Sequence, residues 1–380
     1  MTTDILVIFT GGTIGTAPPV NGVKRQEAQQ KPLTQRTPAD YFLLRKYMQN
    51  NQSYINERGI TFHTRQPLET DSSNLTLDKW NELIADLKGV DFSQYAGVII
   101  THGTDTIAFT AALMSIILSH LDIPVIFVSS NEHLRSPLAN GHKNFEDSVS
   151  FIATQSGNDA SLHKLCGTYV AYSYDLKKTI FYLATEMKQS QAYVNRYESK
   201  TGIDFGYVEQ GQFYVNDIEY ANKQHKDSSI NIGKFLDKHG HGHQSILEMV
   251  GELTNKVLII HPYIGLDYST IHVPVQIRAI LHATYHSFTF PLTQASGGIY
   301  GAGQLTQTQD HANLYFVSYL FNEYASKEDM AQMKRAFYIL GSTTEFAYAK
   351  LLVAYHLFEH EPQKREDFLK LAFNEVNHEH

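Results

Sequence analysis

The order of apolar and polar positions indicates strands that alternate with helices along the first half of the chain. Asp4–Phe9 (DILVIF) and Ile123–Val128 (IPVIFV) are nearly continuous apolar runs, which is typical of strands covered on both faces. Thr76–Lys88 instead spaces its apolar residues at helical intervals, and the hydroxyl of Thr76 can cap the start of that helix. This alternation predicts a parallel sheet wrapped by helices.

The same pattern extends to residue 215. Gly167–Tyr172 and Thr179–Leu183 resemble an antiparallel pair that closes a first domain. The other predicted elements of this region are helices over Pro38–Gln49, Asp105–His120 and Asn140–Thr154 and strands over Gly59–His63 and Gly97–Ile100.

A polar segment without periodicity follows, and we predict that residues 216–252 form a linker. Its histidines could bind a metal ion, but HGHGH lies on a glycine-broken loop without a helical face or a carboxylate partner. A solvated linker is therefore favoured, and no bound metal is predicted. The histidines concerned are His225, His239, His241 and His243.

The alternation of strands and helices resumes after the linker. We therefore predict an α/β protein with an N-terminal domain over 1–215 and a C-terminal domain over 253–380. The elements predicted in the second domain are strands over Lys256–His261, Val275–Ala283 and Leu314–Leu320 and helices over Lys327–Ala336 and Thr343–Phe358.

Composition supports two buried cores and excludes several classes of protein. A chain of 380 residues, of which 42% are hydrophobic and 18% charged, is too long for one ordinary core and too apolar to be disordered. Its net charge of -8 and its lack of a Lys/Arg run argue against a nucleic-acid partner. The single Cys166 cannot form an intramolecular disulfide.

The chain also lacks the patterns of a membrane or secreted protein. No stretch approaches the ~20 apolar residues that span a bilayer. The first residues, MTTDILVIFTGG, lack the basic start and long apolar run of a secretory signal. We therefore expect a soluble, intracellular protein without a membrane partner.

Three loops rich in hydroxyl groups and small residues stand where chemistry is expected. They are Thr10–Gly15 (TGGTIG), Glu69–Asn74 (ETDSSN) and Thr101–Thr106 (THGTDT). Ligands of open α/β sheets bind beyond the carboxyl ends of the strands, where such loops lie. Thr10–Gly15 has neither the G-x-G-x-x-G spacing of a dinucleotide site nor the Gly-Lys-Ser/Thr of a phosphate loop.

Each loop has a functional and a structural interpretation. Gly11 and Gly12 allow close approach of the backbone and leave Thr13 as the side chain presented. Thr104 and Asp105 would stand at the positive end of a helix. The same residues could also serve only as helix caps, and each loop taken alone leaves both interpretations open.

Threonine chemistry is favoured over serine and cysteine chemistry. A threonine hydroxyl is a weak nucleophile that needs a base, and a lysine serves as one where burial lowers its pKa and a carboxylate holds it. The chain has no G-x-S-x-G elbow for serine–histidine chemistry. Cys166 lies in an apolar-flanked segment, HKLCGTYV, which disfavours a thiol mechanism.

Taken together, TGGTIG, DSSN and THGTDT, in this order and near strand ends, resemble the bacterial-type L-asparaginase family. The resemblance covers the first domain and, more faintly, the second, where Ser342–Leu352 (STTEFAYAKLL) is similar to the family's final helix. It implies a larger flavodoxin-like parallel sheet and a smaller Rossmann-like domain. The DSSN form and the lack of a signal peptide resemble the cytoplasmic (type I) subclass.

The resemblance implies roles for individual residues. Thr13 matches the threonine that forms the acyl-enzyme, and Thr104 and Asp105 match the second threonine and its aspartate. Asp105 would also accept a hydrogen bond from the α-ammonium group of a zwitterionic amino acid. Lys188, in the segment ATEMKQS, is the best match for the family's lysine, with Lys177 and Lys178 as nearby candidates for the same role.

Substrate binding is implied for a second group of residues. Ser72 matches the serine that holds the α-carboxylate, and Asp71 and Ser73 lie beside it. Backbone N–H groups around Gly12 and the Ser129–Ser130 turn would stabilise the oxyanion, so Ser130 is included in the predicted site.

Two departures from the family pattern concern the lid and one polar position. The family has a tyrosine on a mobile lid, which we predict over Thr16–Arg36, but Pro18–Ala28 (PPVNGVKRQEA) contains none. Tyr41 could reach the site only if the lid folded differently. Asn140 stands near an aspartate that is usual in the cytoplasmic subclass.

The resemblance thus implies an amidohydrolase that converts L-asparagine to L-aspartate and ammonia without a cofactor. It also implies a homodimer or homotetramer in which a neighbouring subunit completes the site. Glutamine hydrolysis stays open, because one methylene is worth only ~1–3 kcal/mol of discrimination. A non-catalytic amino-acid-binding protein, suggested by the absent lid tyrosine, and a flavodoxin-like cofactor binder stay open as well.

Overall fold

Two sheets joined by one apolar core make up the part of the chain that the structure, a computed structural model, describes. The predicted lid over Thr16–Arg36 lies outside that part. The described residues are 2–15, 41–155, 165–192, 194–200, 202–216, 232–242, 244–285, 287, 289–291, 301–307, 311–318 and 333–371.

The strands of these residues fall into a large sheet, a small sheet and a short hairpin. In chain order they are β1 Thr3–Phe9, β2 Ile60–Arg65, β3 Gly97–Thr101, β4 Pro124–Val128, β5 Gly167–Tyr172, β6 Lys178–Leu183, β7 Met187–Lys188, β8 Glu198–Ser199, β9 Gly206–Glu209, β10 Gln212–Val215, β11 Val257–Ile260, β12 Ala279–His282, β13 Asn313–Val317 and β14 Ala336–Ile339.

Helices cover the sheets and cap several strand ends. In chain order they are α1 Gly12–Gly15, α2 Phe42–Asn50, α3 Gln52–Arg58, α4 Leu77–Lys88, α5 Ile107–Ile117, α6 Gly141–Gln155, α7 232–238, α8 Ile246–Met249, α9 Gln304–Gln307, α10 Thr344–Leu357 and α11 Pro362–Leu369. None of the helices in the described ranges is long and apolar enough to cross a bilayer.

The large sheet has the order β10-β9-β6-β5-β4-β3-β1-β2. Strands β1 to β5 pair in parallel, and their order 2-1-3-4-5 is the flavodoxin-like arrangement. The apolar runs at β3 and β4 are buried along their whole length because helices cover both faces. The predicted antiparallel pair is confirmed, since β5 and β6 pair in that direction.

The small sheet is parallel throughout, with the order β11-β12-β13-β14. One prediction in this region was wrong over the residues that the structure describes. A helix was expected over Lys327–Ala336, but Ala336–Ile339 forms a strand beside Leu314–Val317. The apolar and aromatic run AFYI suits a sheet edge, and pairing with β13 outweighs the helical spacing before it.

The two sheets share one of their apolar clusters. Helix α10 belongs to the second domain but packs against α5 of the first. Buried side chains of both helices lie in a single apolar cluster with residues of β11 and β12. Thr343 caps α10 by accepting a hydrogen bond from the Phe346 N–H at 3.1 Å.

The polar segment at 216–252, expected as a solvated linker, packs on this core where it is described. Phe235 and Leu236 of α7 are buried in the same apolar cluster. The ring of His239 lies 4.5 Å from that of Phe235, centre to centre, and is tilted against it. His239 also lies 3.6 Å from a carboxylate oxygen of Asp367, a partner distant in sequence. Among the residues described, no three His, Cys, Asp or Glu side chains are grouped to hold a metal ion. The domain boundaries themselves remain a prediction.

Packing of α10 predicts a large cost for truncating one of its core residues. Leu351 is fully buried in the shared cluster, so Leu351→Ala should lower the free energy of unfolding by about 2–5 kcal/mol. Leu138 is 63% exposed, and the matched Leu138→Ala should change it by no more than about 0.5 kcal/mol. Urea unfolding of both variants measures this. Equal midpoints for the two variants would contradict the shared core.

Candidate active site

The candidate site lies where the order of the large sheet reverses. Strand β1 pairs with β2 on one side and with β3 on the other. The connection from β1 to β2 and the connection from β2 to β3 therefore run in opposite directions across the sheet. A crevice opens at such a switch point, beyond the carboxyl ends of the strands. Thr10–Gly15 and Thr101–Thr106 follow β1 and β3, so they flank this crevice.

Glycines let the backbones of the loops come within contact distance. Gly11 and Gly12 have φ angles of 100° and 69°, which side-chain-bearing residues rarely adopt. A Cβ on Gly12 would lie 2.6 Å from the backbone nitrogen of Gly103. The Gly12 N–H donates to the Thr70 carbonyl at 3.0 Å, and the Thr70 N–H donates to the Thr10 carbonyl at 3.1 Å. The three predicted loops therefore meet through their backbones.

Ser72 ties the second loop to the third. Its hydroxyl accepts a hydrogen bond from the Asp105 N–H at 3.1 Å and lies 3.4 Å from the Asp105 carboxylate. Its carbonyl accepts from the Thr106 hydroxyl at 2.9 Å. Ser72 is buried, whereas Asp71, Ser73 and Asp105 are exposed. The structure thus brings Ser72 and Asp105 together and leaves Asp105 accessible at the crevice.

Thr13 stands in the first loop as part of the short helix α1, and its side chain is half-buried. The preceding Thr10 is not free to act, because its hydroxyl donates to the Thr101 carbonyl at 2.5 Å. The loop thus uses one threonine to join β1 to β3 and presents the other. The Gly12 N–H, predicted to help stabilise an oxyanion, is already engaged by Thr70.

Lys188 enters from the hairpin of β7 and β8 and is half-buried. The next residue, Gln189, donates from its side-chain amide to the Thr104 carbonyl at 2.8 Å. Lys178, one of the two rival lysines, instead lies 4.7 Å from the ring centre of Tyr207 on the sheet surface. The chain neighbour of Lys188 therefore contacts the Thr104 loop, whereas Lys178 lies on Tyr207.

Gln189 and Tyr197 are site residues that the sequence alone did not identify. The Tyr197 hydroxyl donates to the same Thr104 carbonyl at 3.0 Å. Burial raises the pKa of Tyr197, so its hydroxyl stays protonated and acts as a donor. Neither residue belongs to a recognisable motif, and only the hairpin geometry brings them to Thr104.

His102 is a buried neighbour of the same loop. Its Nδ1 lies 2.8 Å from the Gly103 carbonyl, and the ring is 2% exposed. Burial lowers the pKa of His102 to about 4, against a smaller opposing effect of the Gly103 carbonyl. The ring is therefore neutral near pH 7, with Nδ1–H donating to Gly103, and it supports the loop.

The Ser129–Ser130 turn is held by its own hydrogen bonds. Ser130 is 2% exposed; its hydroxyl donates to the Glu132 carbonyl at 2.5 Å and accepts from the Gly141 N–H at 3.2 Å. The hydroxyl is thus committed to the turn, and a binding role for Ser130 would fall to its backbone.

Asn140, a departure from the family pattern, is explained by its partners. Its side-chain oxygen accepts from the Asn131 N–H at 2.9 Å, and its side-chain nitrogen donates to the Ser173 carbonyl at 2.5 Å. An amide can both accept and donate in this way, whereas an ionised carboxylate can only accept.

A polar cavity of about 640 Å³ opens beside Thr104 and Asp105. Gln189 and Tyr197 line its wall together with Asn131 and Glu132.

Tyr41, considered as a substitute for the lid tyrosine, packs in the core. Its ring is stacked on that of Phe9 at 3.8 Å between centroids, and the residue is only 5% exposed. Tyr41 is thus a core residue that packs against the end of β1.

Close packing of the loops predicts a coupled response to substitution. A Cβ on Gly103 would overlap the Ser72 hydroxyl and lie 2.7 Å from Ser72 Cβ. Gly103→Ala should therefore lower the free energy of unfolding by about 1–3 kcal/mol. Adding Ser72→Gly makes room for the new methyl group, so the double variant should lose less than the sum of the two single variants. Chemical unfolding of all four proteins tests this, and simple additivity would show that the loops do not touch.

Comparison with known proteins agrees with this arrangement. The family described as asparaginase, N-terminal, matches residues 4–181. L-asparaginase 1 of Escherichia coli is 30% identical over 158 residues, which cover 42% of this chain and 43% of that protein. The match thus spans less than half the length of that relative.

Two solved structures share the fold over nearly the whole chain. A probable cytoplasmic L-asparaginase from Campylobacter jejuni has a TM-score of 0.67 at 16% identity and covers 97% of this chain and 100% of its own. The thermostable L-asparaginase from Thermococcus kodakarensis has a TM-score of 0.65 at 18% identity, with 98% and 99% covered. Residues 4–181 thus match the asparaginase family, and the chain as a whole shares the two-domain fold of solved L-asparaginases.

Proposed function

We propose that this protein hydrolyses the side-chain amide of L-asparagine to L-aspartate and ammonia through a threonine acyl-enzyme. One observation carries the proposal. The Thr13 loop, Ser72 and the Thr104–Asp105 loop meet at the switch point of the large sheet, within the residues that match the asparaginase family. Thr104 and Asp105 of this arrangement line the polar cavity, so a hydroxyl and a carboxylate are available to a ligand there.

In the acylation step, Thr13 Oγ attacks the amide carbon of the substrate. A C–O bond forms, the carbonyl electrons move to the oxygen, and the hydroxyl proton of Thr13 passes to the amide nitrogen. The carbonyl then re-forms, the C–N bond breaks, and ammonia leaves. Because Thr70 engages the Gly12 N–H, the proposal assigns the oxyanion to the N–H groups after Gly12 and to the Ser129–Ser130 backbone.

Recognition of the substrate rests on its two charged poles. Asp105 is exposed beside the cavity and would accept a hydrogen bond from the α-ammonium group. The predicted α-carboxylate site at Asp71, Ser72 and Ser73 lies against the same aspartate, since Ser72 contacts it directly. A free amino acid would therefore bind with both poles at one edge of the crevice.

In the deacylation step, the proposed base is Lys188, acting with Thr104 on a water molecule. The Thr104 carbonyl is fixed by Gln189 and Tyr197, which leaves its hydroxyl to take part in proton transfer. Attack of the activated water on the acyl carbon breaks the bond to Thr13 and releases aspartate.

The proposal also includes a homodimer or homotetramer and a cytoplasmic location. The location is supported by the structural neighbour from C. jejuni, which is a probable cytoplasmic L-asparaginase. The oligomer is an implication of the family resemblance.

Replacement of the nucleophile gives the direct test of the proposed reaction. The wild-type protein should release ammonia from asparagine, and Thr13→Ala should lower this turnover by about 10³-fold or more while leaving the fold intact. Thr61→Ala, an exposed threonine on β2, is the matched control and should keep wild-type turnover.

The outcomes separate the competing functions. Faster release from glutamine than from asparagine would replace the substrate but keep the mechanism. Binding of either amino acid without ammonia release would favour a non-catalytic amino-acid-binding protein. More than a few per cent of turnover left in Thr13→Ala would show that Thr13 is not the nucleophile.

A second series tests the assignment of the base. Lys188→Met should lower the maximal rate far more than it raises KM, because a base acts mainly in the chemical step. Lys177→Met and Lys178→Met should be nearly silent, since Lys178 lies on Tyr207 and Lys177 is exposed. Steady-state kinetics of the three variants decides between them, and a costly Lys177 or Lys178 variant would move the role to that residue.

A further inference from the structure

Glu345 lies where the second domain touches the proposed catalytic hairpin. It is the second residue of α10, and its side chain is largely buried, with 8% exposed. One carboxylate oxygen accepts a hydrogen bond from the Gln189 N–H at 2.8 Å. Gln189 directly follows Lys188, so a carboxylate of the second domain holds the backbone of the first domain beside the proposed base.

The side chain of Gln189 connects this part of the backbone to the Thr104 loop. Its amide nitrogen donates to the Thr104 carbonyl at 2.8 Å, and its amide oxygen accepts from the Ala108 N–H at 3.1 Å. Both ends of the amide are therefore in use, which fixes its orientation. Movement of the Gln189 backbone would shift Thr104 and the start of α5 with it.

Glu345 lies on a helix that is held in place by its cap and by burial. Helix α10 is capped by Thr343 and buried along most of its length. A second anchor lies at the other end of the hairpin, where Lys200 pairs with Glu186 at 3.7 Å and donates to the Gly341 carbonyl. Since both side chains of this pair are 2% exposed, the second domain holds the hairpin at two buried points.

The charge of Glu345 is coupled to that of Lys188. Burial raises the pKa of Glu345, while the Gln189 N–H and the positive charge of Lys188 act in the opposite direction. A carboxylate placed in this way favours the charged form of a neighbouring amine.

We propose that Glu345 is a positioning residue, which holds Lys188 directly and Thr104 through Gln189 in the arrangement needed for proton transfer. The inference rests on the proposed asparaginase reaction. In deacylation, the Thr104 hydroxyl gives its proton to the Lys188 amine and takes one from water. The resulting hydroxide attacks the acyl carbon, and the proton on Lys188 passes to Thr13 as its ester bond breaks. The carboxylate of Glu345 stabilises the transient ammonium group.

Two substitutions separate the hydrogen bond from the charge. Glu345→Gln keeps an oxygen that can accept from the Gln189 N–H but removes the negative charge, whereas Glu345→Ala removes both. With asparagine as substrate, Glu345→Gln should lower kcat by about tenfold and change KM by less than about threefold. The protonated lysine loses its partner, so the acid limb of the pH–rate profile should move to lower pH by about one unit.

Glu359→Gln is the matched control in the same domain. Glu359 accepts hydrogen bonds from Lys256 and Arg278, and none of these residues belongs to the proposed site. This variant loses the same charge, so it should lower the melting temperature without moving the pH–rate profile. A Glu345→Gln variant that loses stability but keeps the wild-type profile would show that Glu345 is structural only and would overturn the proposal.

Hydrogen exchange of the Gln189 and Ala108 amides provides a readout that needs no turnover. Glu345→Ala should speed exchange at both amides, and Glu345→Gln should speed it much less. A wild-type protein that releases no ammonia would refute the proposed function, while the exchange rates would still decide whether Glu345 holds the hairpin. Unchanged exchange in Glu345→Ala would overturn the positioning role whatever the activity.

Discussion

The close approach of three backbone segments at the switch point is the constraint on which the site depends. Gly12 lies so near Gly103 that any side chain there would collide with the next loop, and Gly11 takes a backbone conformation that suits glycine. Backbone hydrogen bonds of Thr70 to Thr10 and Gly12 then hold the first and second loops together. Because these contacts are made by backbone atoms, they do not occupy the side chains of Thr13 and Asp105.

The second domain acts on this site through packing as well as through charge. A hairpin of two-residue strands such as β7 and β8 is too short to be stable alone. It is held instead by the buried Glu186–Lys200 pair and by contacts with α10 and Gly341. The residue proposed as the base therefore owes its position to a domain that carries none of the three hydroxyl-rich loops.

The parts of the fold that the sequence predicts are those determined by local pattern. Apolar runs identify β1 and β4, and helical spacing with a capping threonine identifies α4. Gln189, Tyr197 and Glu345 could not be found in this way, since their partners lie far along the chain. The edge strand β14 was missed for a related reason, because its pairing with β13 overrides the local spacing. Motifs show which residue types are present, whereas long-range contacts decide which of them are free to react.

The surroundings of each polar group near Thr104 limit which of them can serve as the proposed base. His102 is the nearest titratable side chain in sequence on the strand side, but burial keeps it neutral and its Nδ1 is engaged by Gly103. Asp105 is exposed and linked to Ser72, which suits it to bind a cation rather than to accept a proton from Thr104. Lys188 lies next to Gln189, which reaches the Thr104 carbonyl, and interacts with the carboxylate of Glu345. A lysine supported by a buried carboxylate can gain a proton at low cost in free energy, and this is the property that a base in such a crevice requires.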